Sequence, residues 1–482
     1  MIKDNPLLKR LLTKYDMMSL PVKAALWFTA CQFIQKGVGM ITTPVFTRLL
    51  STEEYGRASA FLSWADIFIP LIALSTWRGM MNLYAKDRDK DSVLSAIIGL
   101  SIFIAALWML PMVILSEKAI ALIGFTFPLI MCLFLFSLSQ NIFLTWMVRM
   151  QYDYCYKPLT ITTVMYTIVT AFGGALLILM YSRTAEAKLY PQIVMLAVIS
   201  LVIIIVSLKK RPIFYDKETW MFCLTFAVPL IPHYLSEVIL QSSDRIMINN
   251  MCTSAEVAIY SIAYAVGSLI NLVSNAINSS FVPYQYQKIK SRDYITLAEN
   301  TNIIIGFVAV CLCLFMLFGR EIVLIFGGDK YIDSVNIIIP ICLGVFFNYV
   351  FQLFARVQEY FEQKFTIVIA SVSCALLNIV LNYIFIDIYG YRAAAYTTFV
   401  CYFVFCFLHY WFYRMACDRN IGQEIYDIKS LVIISTSIIV LSPIIAFLSD
   451  LYLLKYTILI IALVFVSVKR RTIIGFVNAI KK

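Results

Sequence analysis

Charge is scarce in this chain. Asp, Glu, Lys and Arg supply 14% of its 482 residues, whereas 61% are hydrophobic. A soluble domain carries nearer a quarter charged residues, so a soluble globular protein is excluded. Histidine is scarcer still, at two residues, too few for a histidine-based metal cluster. The 12 cysteines are scattered without a C-x-x-C pair. Cys311-x-Cys313 sits within an apolar run, where two small apolar side chains are the ordinary reading. No disulfide framework or metal centre is expected. Long polar stretches are also missing. The largest connections, around 78–91, 181–190, 209–218, 282–298 and 414–430, hold a turn or an interfacial helix but no domain. Met1 to Lys23 is polar and basic without an apolar h-region, unlike a cleavable signal peptide.

What the chain has is apolar runs of about 20 residues, each long enough to cross a hydrocarbon core of roughly 30 Å. Spans are expected near 22–46, 57–77, 92–115, 126–148, 158–180, 190–208, 219–243, 255–281, 299–319, 334–355, 366–387, 392–413, 431–448 and 451–468, fourteen in all. The net charge of +11 is a topology signal, not a nucleic-acid footprint. With a cytoplasmic N-terminus, 28 Lys or Arg fall in cytoplasmic segments and 10 outside, with Lys36 inside the first span. That bias places both termini in the cytoplasm. It also requires the last span, without which Lys469-Arg470-Arg471 would face outward. Residues Met1–Pro21 carry Leu7, Leu8, Leu11, Leu12 and Tyr15 at helical spacing, as a basic amphipathic helix on the inner leaflet would.

The spans repeat. Asn141-x7-Arg149-x-Gln151-x5-Lys157 returns 207 residues later as Asn348-x7-Arg356-x-Gln358-x5-Lys364. Ser51-Thr52-Glu53-Glu54-Tyr55-x3-Ser59 is echoed by Thr253-Ser254-Ala255-Glu256-Val257-x3-Ser261 at an offset of 202. Six spans per unit is even, so both units enter the membrane the same way up, as parallel repeats. The expectation is an all-α polytopic membrane protein of about 14 helices, with two six-helix lobes around a central cavity and a C-terminal two-helix hairpin. Its segments are a cytoplasmic N-terminal segment (1–21), an N-terminal lobe (22–213), a C-terminal lobe (214–415) and a tail with the last two helices (416–482).

Polar side chains in such spans need a partner, a cavity or a function, because each charge costs about 2.5–3.5 kcal/mol at mid-bilayer. In the seventh span His233, Glu237, Gln241 and Asp244 lie within about 80° of arc, after Pro229 and Pro232, which bend a helix or free carbonyls. Gln32 and Lys36 share a face of the first span, and Ser59, Ser63 and Asp66 one of the second. Ser268, Asn271, Asn275 and Asn278 form a stripe on the eighth. Together they outline a polar interior between the repeats. Structural readings stand beside this one. Arg149, Arg356 and Arg78 suit snorkelling anchors, and Asp244-Arg245 suits a local ion pair. The asparagines suit helix glue, Lys36 and Asp66 mutual neutralisation, and His233 a hydrogen-bonded packing role.

Pro229-Leu-Ile-Pro-His-Tyr-Leu-Ser236, Ser243-Asp244-Arg245-Ile246, Glu256 and Ile259-Tyr260-Ser261 resemble the seventh and eighth helices of oligosaccharide flippases. So does Thr47-Arg48-Leu49-Leu50-Ser51-x3-Tyr55-Gly56 between the first two spans. The chain is thus similar to the multidrug/oligosaccharidyl-lipid/polysaccharide exporter superfamily, and within it to Wzx-type O-antigen and capsule repeat-unit flippases. The resemblance is strongest over 20–90 and 219–290. It implies a bacterial inner-membrane protein that moves undecaprenyl-diphosphate-linked oligosaccharide to the outer leaflet by alternating access, with membrane lipid and a polysaccharide polymerase as partners. Under that resemblance Lys36, Arg48, Arg245 and Arg78 would meet the diphosphate. Gln241, Asn271, Asn275 and Asn278 would meet sugars, and Asp66, His233, Glu237 and Asp244 would serve proton or sodium coupling without a bound cofactor. The lumen acids keep a drug or cation antiporter on the same fold as the first rival. A membrane-embedded glycan polymerase or glycosyltransferase is the second, but no outward loop is large enough to hold its catalytic groups.

Overall fold

The computed structural model describes residues 17–84, 88–451 and 455–457, leaving aside the side chains of 272, 273, 275, 276, 279 and 280. The described chain runs as helices α1 (Leu20–Leu49), α2 (Thr52–Ile72), α3 (Met80–Tyr84), α4 (Lys90–Ile114), α5 (Ser116–Ile123), α6 (Phe127–Tyr152), α7 (Tyr156–Met180), α8 (Ala185–Lys210) and α9 (Lys217–Ala227). It continues through α10 (Ile231–Met251), α11 (Ser254–Ser268), α12 (Ile270–Ser291), α13 (Tyr294–Leu317), α14 (Gly319–Phe326), α15 (Val335–Tyr360), α16 (Lys364–Tyr389), α17 (Arg392–Asn420) and α18 (Ile428–Ser449). Short 3-10 turns lie at Thr76–Gly79, Val228–Leu230 and Asp329–Ser334. The first thirteen expected spans each have a helical counterpart. The fourteenth falls almost wholly outside the described residues, as do the Met1–Lys14 part of the N-terminal segment, Tyr15, and Lys469-Arg470-Arg471.

Ten described helices are long and apolar enough to cross a membrane, or eleven if the bent pair Thr52–Ile72 and Thr76–Tyr84 is one span. α2 bends by 53° where Leu74 and Ser75 adopt left-handed backbone. The end of α2 is secured by Asn141, whose amide donates to the Ile69 carbonyl at 2.6 Å. The seventh span breaks at Val228–Leu230, with Pro229 inside that 3-10 turn and Pro232 in the first turn of α10.

Two lobes result. In the first, α1 packs on α7, α7 and α6 on α8, and α2 and α4 on α6. In the second, α15 and α16 pack on α17, α10 on α16 and α11 on α15. α9 begins the seventh span against the first lobe, its Trp220 indole donating to the Ala96 carbonyl at 2.8 Å. α10 then carries that span into the second lobe. α18 lies against α13 on the periphery.

The repeated Ser51 and Thr253 motifs are helix N-caps. The Ser51 hydroxyl accepts from Glu54 N–H at 3.1 Å, and Thr253 with Glu256 forms a full capping box. Thr253→Ala should lower stability by about 1 kcal/mol, read as a lower melting temperature in detergent, whereas Thr29→Ala, at an exposed hydroxyl that donates to the Ala25 carbonyl of its own helix, should not.

Candidate functional site

The capped ends of α2 and α11 cross each other and close one end of the space between the lobes. At Gly56 a Cβ would stand 1.6 Å from the Ser254 carbonyl oxygen. Only glycine lets the two backbones approach so closely. The Thr47 hydroxyl donates to the Phe326 carbonyl at 2.6 Å, and the Lys330 ammonium to the Leu50 carbonyl at 2.6 Å. Burial, and after it the Arg48 charge, lower the Lys330 ammonium below its ordinary pKa. Asn250 donates to the Leu122 carbonyl at 3.1 Å, and Tyr55 meets Tyr331 edge-on at 6.0 Å. This is a seal made of both lobes.

Beyond the seal the lobes part around two cavities. One, of about 260 Å³, is lined by Asp66 and Arg78 from the first lobe and by Tyr234, Glu237, Gln241 and Ser242 from α10. The Ser242 hydroxyl donates to Asp66 at 2.9 Å across the junction. Arg78, on the 3-10 turn after the α2 bend, stacks its guanidinium 3.8 Å from the Tyr234 ring. The other cavity, of about 270 Å³, is lined by Lys36 and Thr43 on α1 and by Ser268 and Asn271 at the α11–α12 break. Arg245 lies over the Tyr264 ring at 4.6 Å, and its charge reaches Asp66 and Tyr55 on the opposite lobe. Among the described residues, Lys36, Arg78 and Arg245 have no carboxylate within 4.0 Å. Two cations, Lys36 and Arg78, and two acids, Asp66 and Glu237, therefore line this space, with Arg245 close behind Tyr264.

Other expected site residues have different surroundings. Arg48 binds the Pro44 carbonyl at 2.9 Å and the Ile325 carbonyl at 3.2 Å, fastening α1 to the C-terminal end of α14. A cation at that end complements the helix dipole. His233 shares a hydrogen bond with the Ser371 hydroxyl at 3.0 Å and stands 3.7 Å from Glu237. Asn278 accepts from the Tyr349 hydroxyl at 3.5 Å, so it joins α12 to α15. The Asn275 side chain lies outside the described set. The repeated arginines differ. Arg149 is ion-paired to Asp153 and, at 3.3 Å, to Asp91. Arg356 is 9% exposed and its hydrogen bonds go to neutral amides, Gln285 at 3.3 Å and Gln352 at 3.4 Å.

Asp244 is 1% exposed and is turned away from Arg245 into the second lobe. It accepts from Asn382 at 2.7 Å, from Thr398 at 2.7 Å and from the Tyr260 hydroxyl. Thr397 donates to Asn382, and Ser243 to Asn378 at 2.8 Å. α10, α11, α16 and α17 thus surround one carboxylate with hydroxyl and amide hydrogen-bond donors, none of them charged. Sequence reasoning missed Asn378, Asn382, Thr397 and Thr398. The available signal was two asparagines one turn apart in an otherwise apolar span.

Comparisons with known proteins agree with this architecture. The chain is similar to the Lsg locus protein 1 of Haemophilus influenzae, 23% identical over 66% of this chain and 81% of that one. Its fold is similar to the lipid II flippase MurJ in an inward closed conformation, with a TM-score of 0.64, 17% identity, and coverage of 91% of this chain and 100% of MurJ. It is also similar to an inward-facing multidrug resistance MATE transporter of the MOP superfamily, with a TM-score of 0.59, 13% identity, and coverage of 81% and 97%. These fold neighbours are transporters, not enzymes. A MatE family model matches residues 229–384. The model of the polysaccharide biosynthesis protein family matches residues 22–288, more than half of the chain, and the protein belongs to that family.

Proposed function

We propose that the protein flips a polyprenyl-diphosphate-linked oligosaccharide, of the undecaprenyl type that carries O-antigen and capsule repeat units, to the outer leaflet of the bacterial inner membrane. The observation that carries this reading is the charge of the space between the lobes. Lys36 and Arg78 line it without carboxylate partners among the described residues, Arg245 beside Tyr264 adds its charge near Asp66, and Asp66 and Glu237 are the acids. A diphosphate needs such cations, and sugars need neutral hydrogen-bonding groups such as Gln241 and Asn271 beside them. The polyprenyl tail stays in lipid while the head crosses.

Transport would proceed by rocking of residues 22–213 against 214–415, with the seal around Gly56 opening as the opposite end closes. Both termini lie in the cytoplasm on this reading, and the substrate leaves for a polysaccharide polymerase on the outer face. Arg48 fits better as a fastening of the seal than as a phosphate ligand. Coupling would reside at Asp244, with His233 held by Ser371 in a packing role.

The test is translocation in proteoliposomes loaded with a lipid-diphosphate oligosaccharide, scored by a membrane-impermeant glycosidase. Lys36→Ala and Arg245→Ala should each slow transport at least 10-fold, about 1.4 kcal/mol of lost phosphate interaction, while Lys118→Ala on peripheral α5 should not. The rival is a cation antiporter using Asp66 and Glu237. It predicts no glycosidase access, with proton or sodium exchange for organic cations in the same vesicles.

A further inference from the structure

A third hollow, of about 500 Å³, lies on the first lobe and shares no lining residue with the two between the lobes. Its floor and walls come from α4, α6, α7 and α8. α7 and α8 are antiparallel and touch near the end of the hairpin that joins them, where Gly173 lies against Pro191 and Gly174 against the Lys188 carbonyl. Toward their other ends a groove opens between them, lined by Met165 on α7 and by Met195, Val198, Val202 and Val206 on α8. Met165, Val198, Val202 and Val206 are about half exposed, as side chains facing lipid are. From Met195 to Lys210 the groove follows α8 for about 22 Å at 1.5 Å per residue. One leaflet of the hydrocarbon core is about 15 Å deep. The groove is therefore longer than one leaflet's hydrocarbon is deep, with room for an extended chain and a headgroup at its end.

All of its charged lining residues gather at one end: Asp91, Arg149, Asp153 and Lys210. Three of them satisfy each other. Arg149 is paired to both aspartates, and Lys90 adds a second cation to Asp153 at 2.7 Å. Lys210 has no carboxylate within 4.0 Å among the described residues and follows Lys209 on the last turn of α8. The charge left for a ligand is therefore positive, at the depth where a lipid phosphate sits. Basic pockets between membrane helices bind anionic headgroups in this way.

We propose that this groove is a binding site for one anionic phospholipid, with an acyl chain along Val198, Val202 and Val206 and its phosphate at Lys210. The lipid would span the gap between α7 and α8 and so brace the first lobe during rocking. The site is independent of the substrate cavity.

The experiment is native mass spectrometry of the full-length protein in detergent, titrated separately with phosphatidylglycerol, phosphatidylethanolamine and phosphatidylcholine of one chain length. Phosphatidylglycerol should bind at least 10-fold more tightly than phosphatidylcholine. Lys210→Glu should erase that preference, and Val202→Trp, which fills the groove, should cut binding of all three. Val440→Trp, on the exposed face of α18, should change nothing. Melting temperatures of the variants confirm that each is folded. Equal affinity for the three headgroups would overturn the proposal, as would Lys210→Glu with its preference intact. Displacement of phosphatidylglycerol by substoichiometric undecaprenyl phosphate would overturn the choice of occupant in favour of an isoprenoid chain.

Discussion

Gly56→Ala should drive the lobes apart at the sealed end. The new Cβ would stand 1.6 Å from the Ser254 carbonyl oxygen and 2.6 Å from its carbon. Both are backbone atoms within a capped helix start, so no side chain can rotate to make room. α2 and α11 must move as bodies, and the bonds around Thr47, Lys330 and Asn250 are lost with them. Overpacking of this kind costs about 1–3 kcal/mol, which shifts a two-state population roughly 5- to 150-fold. Hydrogen exchange in nanodiscs reads the result. Exchange should rise across 46–56, 250–258 and 324–331, and transport should fall because the state closed at this end becomes rare. Gly37→Ala on α1 is the control, since nothing lies within 4 Å of its Cβ position. Unchanged exchange with full transport in Gly56→Ala would mean that this crossing is not part of the working cycle.

The spans were legible because bilayer thickness sets the length of an apolar run, and that constraint is local to the sequence. The α2 bend was not legible. Leu74 and Ser75 take left-handed backbone there although neither is glycine, Pro70 stands inside the helix before the bend, and Asn141 on another helix holds the Ile69 carbonyl. The echo at Ser51 and Thr253 was visible, but as ancestry; its physical content, two N-caps brought to one crossing, needed three dimensions. The polar stripe of the seventh span shows where helical geometry is too coarse. Glu237 and Gln241 line the cavity. Asp244 lies inside the same arc, about 20° of helix rotation from both Glu237 and His233, yet it joins His233 on the side that faces α16 and α17. Arg48 illustrates the non-local case, since its carbonyl partner lies 277 residues away.

Asp244→Asn should leave the protein folded and remove its response to sodium. The substitution keeps the shape of the side chain: the amide oxygen can accept from Asn382, while the amide N–H groups take the place of the other oxygen and donate to the Thr398 and Tyr260 hydroxyls, which can turn to accept. What disappears is the negative charge, for which no cation lies within 4.0 Å among the described residues. A carboxylate so deeply buried, held by neutral hydrogen-bond donors alone, is costly unless a bound ion or proton neutralises it. Sodium that binds the folded protein and not the unfolded chain stabilises by mass action, about 2.7 kcal/mol at 100 times its dissociation constant. The wild-type melting temperature should therefore rise when sodium replaces choline at constant ionic strength, and that of Asp244→Asn should not. Transport driven by a sodium gradient should drop at least 100-fold in the variant. Stabilisation of the wild type by acid and not by sodium would make the proton the coupling ion at the same carboxylate. If neither changes the wild type, Asp244 is a structural tie among α10, α11, α16 and α17, and coupling must be sought at Asp66 or Glu237.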